Sequence, residues 1–421
     1  VIQTQEEAFP VPGPTCLRCH QEMRYKGEYA ITVESRIGLL QIRRGYYYCE
    51  HCQSGFFPLD QQLHWAGRHW SEGVVKMAVW LSGLVAYEDV ARILEQVGGI
   101  PISPATVWRL VQEWGERFRE REEREWQAAN EVPLKEGWEE AQPADPGIGG
   151  MPPSAPLLRE KPSGSPGGGV KRMGVAMDGG MIHVRGEGWK ELKVGCIFDV
   201  GKRRMVDKET GEEIEVAGAI NASYVAHLGG PEVFGKKVWA EAQRRGWEKS
   251  PETEALGDGA AWIWNLVEEH FYDSYPLVDW YHAAEHLAAA ANALWGEGTA
   301  EAQRWLKSQE TVLYQGHALR IARQLEEAAQ RQPERAERLL EEARYFRNNH
   351  RRMNYMEMRE EGWVIGSGVV ESGVKQFRAR FAGPGMRWSR LGAERLLPIR
   401  AAVMSGRFDQ WWPQVYAAPK N

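Results

Sequence analysis

The chain has little cysteine, no long apolar run and no overall surplus of basic charge. Five cysteines in 421 residues are too few for a disulfide framework and lead to the expectation of a reducing compartment. No stretch approaches the roughly 20 apolar residues that a membrane-spanning helix needs. No secretory leader is evident, so a cytoplasmic protein with no membrane partner is expected. The formal net charge of −6 excludes a uniformly basic nucleic-acid coat. Hydrophobic residues make up 43% of the chain, enough for well-packed cores. The length suggests about two or three domains.

Charge is nevertheless unevenly placed. From Ser372 to Arg407, Lys375, Arg378, Arg380, Arg387, Arg390, Arg395, Arg400 and Arg407 stand against Glu394 alone. This basic stretch follows the glycine-rich run Gly366-Ser367-Gly368-Val369-Val370-Glu371. A helix is predicted to begin near Val369, with Glu371 in its first turn and Lys375 and Arg378 on the same face. A carboxylate there also suits the helix dipole.

The cysteines are paired. Cys16-Leu-Arg-Cys19 is followed, after 29 residues, by Cys49-Glu-His-Cys52. Two such knuckles supply four thiolates to one tetrahedral structural zinc, with a hairpin between them. Tyr29–Val33 and Ile42–Tyr48 have the composition of its strands. Helices are predicted at 71–83 and 87–97. A third opens at Ser103-Pro104, with serine as N-cap and proline in the first turn. Three such helices suggest a helix-turn-helix-like unit. Proline, glycine and serine dominate from 142 to 169, which reads as a flexible linker.

Beyond the linker, Val170–Gly180, Met181–Val184 and Leu192–Phe198 read as three antiparallel strands. Helix, strand, helix, strand and helix follow, ending at about Leu294. That order is the one expected of a ribonuclease-H-like α/β fold. Asp178 and Asp258 each end a predicted strand at a glycine turn, and Glu371 opens a helix. Strand-end aspartates also form ordinary turns. Jointly, however, three carboxylates on a rigid platform suit two divalent ions about 4 Å apart, and magnesium favours such hard oxygen ligands. Asp279, 21 residues after Asp258, also ends a strand and competes for the second position.

These segments resemble a known family. Asp178-Gly-Gly, Gly257-Asp258-Gly-Ala-x-Trp262, Asp279-Trp-Tyr-His282-x-x-Glu285-His286, Ile365-Gly-Ser-Gly-x-Val-Glu371-Ser and Gly385-Met-x-Trp388 are similar to motifs of DDE transposases of bacterial insertion sequences. The likeness is to the ISKra family and, more distantly, to Mutator-like transposases. It implies that Asp178, Asp258 and Glu371 bind Mg2+ (or Mn2+) and cut DNA at an element's terminal inverted repeats. The freed 3′-hydroxyl is then joined to target DNA. It places Asp258 ahead of Asp279 as the second acid, and leaves Asp279 and His282 as supporting residues beside the ions. DNA partners, a homo-oligomer and nucleoid association follow from the same resemblance. Lys375, Arg378, Arg380 and Arg387 are the expected phosphate contacts, while Trp388 suits either base stacking or a core.

Two other functions are compatible with the sequence. One is a transposase-derived DNA-binding protein that no longer cuts. The other is a zinc peptidase, because His282-Ala-Ala-Glu285-His286 matches the inverted H-x-x-E-H signature and puts both histidines on one helix face. The expected organisation is a zinc ribbon at 1–65, a helical DNA-binding domain at 66–141 and the linker at 142–169. A ribonuclease-H-like core at 170–298, an all-α insertion at 299–360 and the Glu371 helix with the basic C-terminal part at 361–421 complete it.

Overall fold

A computed structural model describes residues 13–62, 69–131, 171–206, 211–383 and 385–417. The expected 142–169 linker lies outside them. The N-terminal elements are strands β1 (Arg24–Ser35), β2 (Gly38–Cys49) and β3 (Ser54–Phe56), then helices α1 (Pro58–Gln62), α2 (Glu72–Ser82), α3 (Tyr87–Gly98) and α4 (Pro104–Glu131). Strands β4 (Met173–Val184), β5 (Gly188–Val206) and β6 (Glu213–His227) follow, with α5 (Pro231–Arg244), β7 (Thr253–Gly257), α6 (Ala261–His270), β8 (Tyr275–Val278) and α7 (Trp280–Trp295). Helices α8 (Ala300–Tyr314), α9 (Ala318–Arg331), α10 (Ala336–Asn349) and α11 (Tyr355–Glu360) come next. The chain closes with α12 (Gly368–Phe381), α13 (Arg390–Met404) and α14 (Phe408–Ala417).

Two compact units result. Residues up to Arg121 and from Trp388 onward form the first, and Glu122–Arg387 the second. The expected 361–421 part is thus divided, with α12 in the second unit and α13 and α14 in the first.

In the first unit, β1, β2 and β3 make a small antiparallel sheet. Helix α3 stops where Gly99 turns left-handed at φ 62°, a conformation glycine adopts without strain. The Thr106 amide donates to the Ser103 hydroxyl at 3.2 Å, so the predicted cap starts α4. Its buried face carries Trp114, stacked on Tyr416 at 5.1 Å, and Phe118, stacked on Phe408 at 5.4 Å. The Trp412 indole donates to Glu72 and an Arg400 N–H donates to the Gly83 carbonyl. Helices α13 and α14 therefore complete the aromatic core that α2 to α4 begin. Trp388 meets Tyr87 edge to face within this unit.

The second unit is mixed α/β. Its five-stranded sheet has the order β6-β5-β4-β7-β8. Strands β4, β5 and β6 are antiparallel neighbours, and β7 and β8 extend the sheet parallel to β4. The central strands are buried on both faces along Met173–Met177, Leu192–Phe198 and Thr253–Gly257. That explains their near-continuous apolar sequence, since a strand covered on both sides has no solvent face to mark by alternation.

Two strand assignments change. Strand β4 does not stop at Asp178 but runs on to Val184, joining the two segments read as separate strands. The third antiparallel strand is β6, which sequence reading left unassigned. The glycines after Asp178 make room instead of a turn. A Cβ on Gly180 would sit 2.9 Å from Val374 and 3.1 Å from Arg378, so its absence lets α12 lie directly on β4.

Candidate functional site

Three parallel strands deliver acids to one edge of the sheet. Asp178 lies on β4 just past its last pairing with β7, Asp258 directly follows β7, and Asp279 directly follows β8. The carboxyl ends of parallel strands are where α/β sheets form binding crevices. Glu371 arrives from the first turn of α12, whose packing on β4 is set by Gly180.

The acids have different surroundings. Asp279 has no exposed surface. One of its oxygens accepts from the His282 amide at 2.8 Å, capping α7, and meets His282 Nδ1 at 3.1 Å. The other accepts from the Ser367 amide. Burial acts to raise this carboxyl, but the hydrogen bonds from His282 and Ser367 outweigh it and hold the group below its ordinary range. Asp279 thereby ties the start of α7 to the segment leading into α12. The Trp280 amide adds a bond to the Ile365 carbonyl at 3.0 Å.

Asp178 and Asp258 are half-buried. Asp178 accepts from the Gly179 amide at 2.6 Å and Asp258 from the Ala260 amide at 2.8 Å. Burial pushes the Asp178 carboxyl up to about 6, and the charges of Asp258 and Glu371 add to the rise against the opposing Gly179 amide and His282. The Asp279 hydrogen bond, followed by the charges of Asp279, Asp178 and Asp258, holds His282 up to about 9, so it is an imidazolium at neutral pH.

The three predicted acids thus share one electrostatic neighbourhood. They do not converge on a single point. Among the described residues, the acid-containing group whose ligand atoms all lie within 4.8 Å of one another is Asp279, His282 and Glu371. Both oxygens of Asp279 are engaged, whereas the backbone amide bonds to Asp178 and Asp258 each reach one oxygen. The raised carboxyl is that of Asp178, lifted by burial first and then by the charges of its acidic neighbours.

The basic residues separate on inspection. Lys375 and Arg378 are exposed on α12, and Lys375 pairs with Glu371 at 3.2 Å. Arg387 is also exposed. Arg380 is 3% exposed, turned into the protein, and is withdrawn from any DNA backbone. Arg400 and Arg407 are buried too, and Arg395 pairs with Glu116 at 2.7 Å. The basic run is therefore not one face, because much of it packs the first unit.

The H-x-x-E-H motif does not form one metal group among the described residues. His282 is bound to Asp279, whereas His286 meets Glu342 at 2.7 Å and stacks on Tyr345. Tyr345 also donates its hydroxyl to the Asp258 carbonyl at 3.0 Å. Sequence reading missed Tyr345 and Glu342, since neither belongs to a local motif and their partners lie far away in the chain.

Cys16, Cys19, Cys49 and Cys52 form a second group, all four sulfurs within 4.8 Å of one another. The knuckles are alike: the residue after each second cysteine, His20 or Gln53, has left-handed φ, 59° and 49°. Backbone amides of Arg18 and Cys19 lower the Cys16 thiol to about 6, while the neighbouring thiol of Cys19, then burial, pushes Cys52 up to about 12. Four thiols competing for one space fit a tetrahedral zinc ion, which takes them all as thiolates. This cluster is compatible with a zinc ribbon.

No helix among the described residues is long and apolar enough to cross a membrane. Comparison of the chain with protein-family models and with curated proteins finds no match.

Proposed function

We propose that this protein is a DDE-type transposase of the insertion-sequence kind, cutting DNA at terminal inverted repeats and joining the 3′-hydroxyl ends to target DNA. The observation that carries the reading is the shared electrostatic field of Asp178, Asp258 and Glu371, from β4, the end of β7 and the first turn of α12. The sheet order β6-β5-β4-β7-β8 supports a ribonuclease-H-like core, and the motifs around the three acids support the family.

In this reading Asp178, Asp258 and Glu371 hold magnesium. When bound, magnesium supplies Lewis-acid activation of the attacking oxygen and charge stabilisation at the leaving oxygen. The protein's own groups bind and orient. Lys375 and Arg378 present cations beside Glu371 on the exposed face of α12, where a phosphate backbone would lie. Asp279 anchors α7 and the approach to α12, keeping Glu371 opposite the strand ends. His282 holds a proton amid the acids and offsets their charge. The zinc ribbon and the helical domain supply further DNA contacts. Holding two element ends together calls for more than one copy of the chain.

The test compares wild type with Glu371→Ala on a labelled inverted-repeat end in magnesium. Wild type should nick the end; the variant should bind it equally well and cut at least 100-fold more slowly. A wild type that binds without cutting supports the DNA-binding alternative. Full cleavage by Glu371→Ala removes this residue from the site.

A further inference from the structure

The helical segment between α7 and α12 reaches the Asp258 loop through α10. We infer that Tyr345, on α10, is a positioning residue for Asp258, so that this segment sets the geometry of the site. The inference rests on the reading that Asp258 is a metal-holding acid.

Within its own loop, the Asp258 carboxylate is held by the Ala260 amide at 2.8 Å. Gly259 follows at φ +105°, outside the range that other residues adopt readily. Because the Ala260 bond is made to the loop's own backbone, the carboxylate direction follows the loop backbone. Asp279 donates its amide to the Gly257 carbonyl at 2.8 Å, which fixes the loop on the β7 side. The Asp258 carbonyl is fixed by Tyr345, whose hydroxyl donates to it at 3.0 Å. The tyrosine ring also lies against the loop: a Cβ on Gly259 would stand 2.8 Å from Tyr345 Cε2. Glycine is therefore required at 259 both for its φ and for the closeness of this ring.

Tyr345 is itself braced. Its ring stacks on His286 with centroids 3.5 Å apart and planes 18° from parallel. His286 Nδ1 meets one oxygen of Glu342, which is 2% exposed, and Arg338 pairs with the other at 3.2 Å. Arg338, Glu342 and Tyr345 all stand on α10. Helices α7 and α10 thus hold the ring between them, and the ring holds the loop. Metal-holding carboxylates lose affinity when the groups that orient them are removed, typically by 10–100-fold. This placement also gives His286 a role other than metal ligand.

The test uses the full-length, zinc-loaded protein and Mn2+ as probe, with binding read by electron paramagnetic resonance. Tyr345→Phe keeps the ring and its stack and removes only the hydroxyl. Mn2+ should bind about 10-fold more weakly while the melting temperature stays within a few degrees of wild type. In an Asp258→Ala background the same change should have no further effect, since it acts through Asp258. Equal Mn2+ affinity in Tyr345→Phe and wild type overturns the inference, as does an undiminished effect without Asp258. If Tyr345→Phe does not fold, Glu342→Gln loosens the brace one residue further out, and its Mn2+ affinity decides in the same way. A wild type that binds no Mn2+ refutes the metal reading itself, which is a different result from equal affinities.

Discussion

Asp258 and Asp279 leave adjacent parallel strands, yet their surroundings give them opposite duties. Asp279 is fully enclosed and accepts from two backbone amides and a histidine ring. Asp279→Ala leaves those donors unpaired inside the protein and should cost about 3 kcal/mol of stability, seen in denaturant unfolding. Asp258→Ala should cost less than about 1 kcal/mol in the same measurement, because the half-buried carboxylate can be replaced by water. Asp178 provides a pH test. Its folded carboxyl titrates at about 6 against an ordinary value of 3.8. Below 3.8 both states carry the proton. Between 3.8 and about 6 the unfolded chain ionises first, so stability falls as pH rises. Asp178→Asn should melt close to wild type near pH 4 and be more stable well above pH 6, by ~3 kcal/mol without divalent cations. Added magnesium should erase that advantage by stabilising wild type alone.

At the scale of elements, the ribbon's small core consists of Cys16, Met23, Tyr47 and Cys49. Half of it is cysteine sulfur, so a zinc ion held there would be part of the packing. Stripping zinc with a strong chelator should raise amide exchange across Arg24–Phe56, while β4, β7 and β8 keep their protection; hydrogen-exchange mass spectrometry checks this. The four-cysteine cluster was legible in the sequence because its members come as two short, repeated spacings. The helices α2, α3 and α7 were legible from caps and periodicity, and the acids from their position after apolar runs. Other features depended on distant partners. The clearance at Gly180 for α12 looks like a turn until α12 is seen on β4. Arg380 looks like its neighbour Arg378, and only the packing of α12 turns one inward. In the sequence Asp279 rivals Asp258 for the second position, and only the fold shows Ser367, far along the chain, donating to it.

At the scale of the whole molecule, the second unit is continuous in sequence and the first is not. Helices α13 and α14 complete the packing of Trp114 and Phe118 through Phe408, Trp412 and Tyr416. A chain ending at Arg387 would leave those rings in water. Its first unit should lose cooperative unfolding, whereas Glu122–Arg387 should unfold as it does in the full chain. Scanning calorimetry of the two proteins checks this: one transition should vanish and the other persist.

The same discontinuity sets an order of events during synthesis. Arg117 donates to the Tyr416 carbonyl, 299 positions further along. At ordinary elongation rates of about 5–20 residues per second, that partner emerges roughly 15–60 s after Arg117 does. The second unit has by then left the ribosome whole and free to fold. The first must wait, with its aromatic face uncovered, for the last helices to arrive. A nascent chain therefore acquires the acid cluster before it acquires a finished first unit. If that unit recognises DNA ends, a nascent chain holds its acids before it can hold an end.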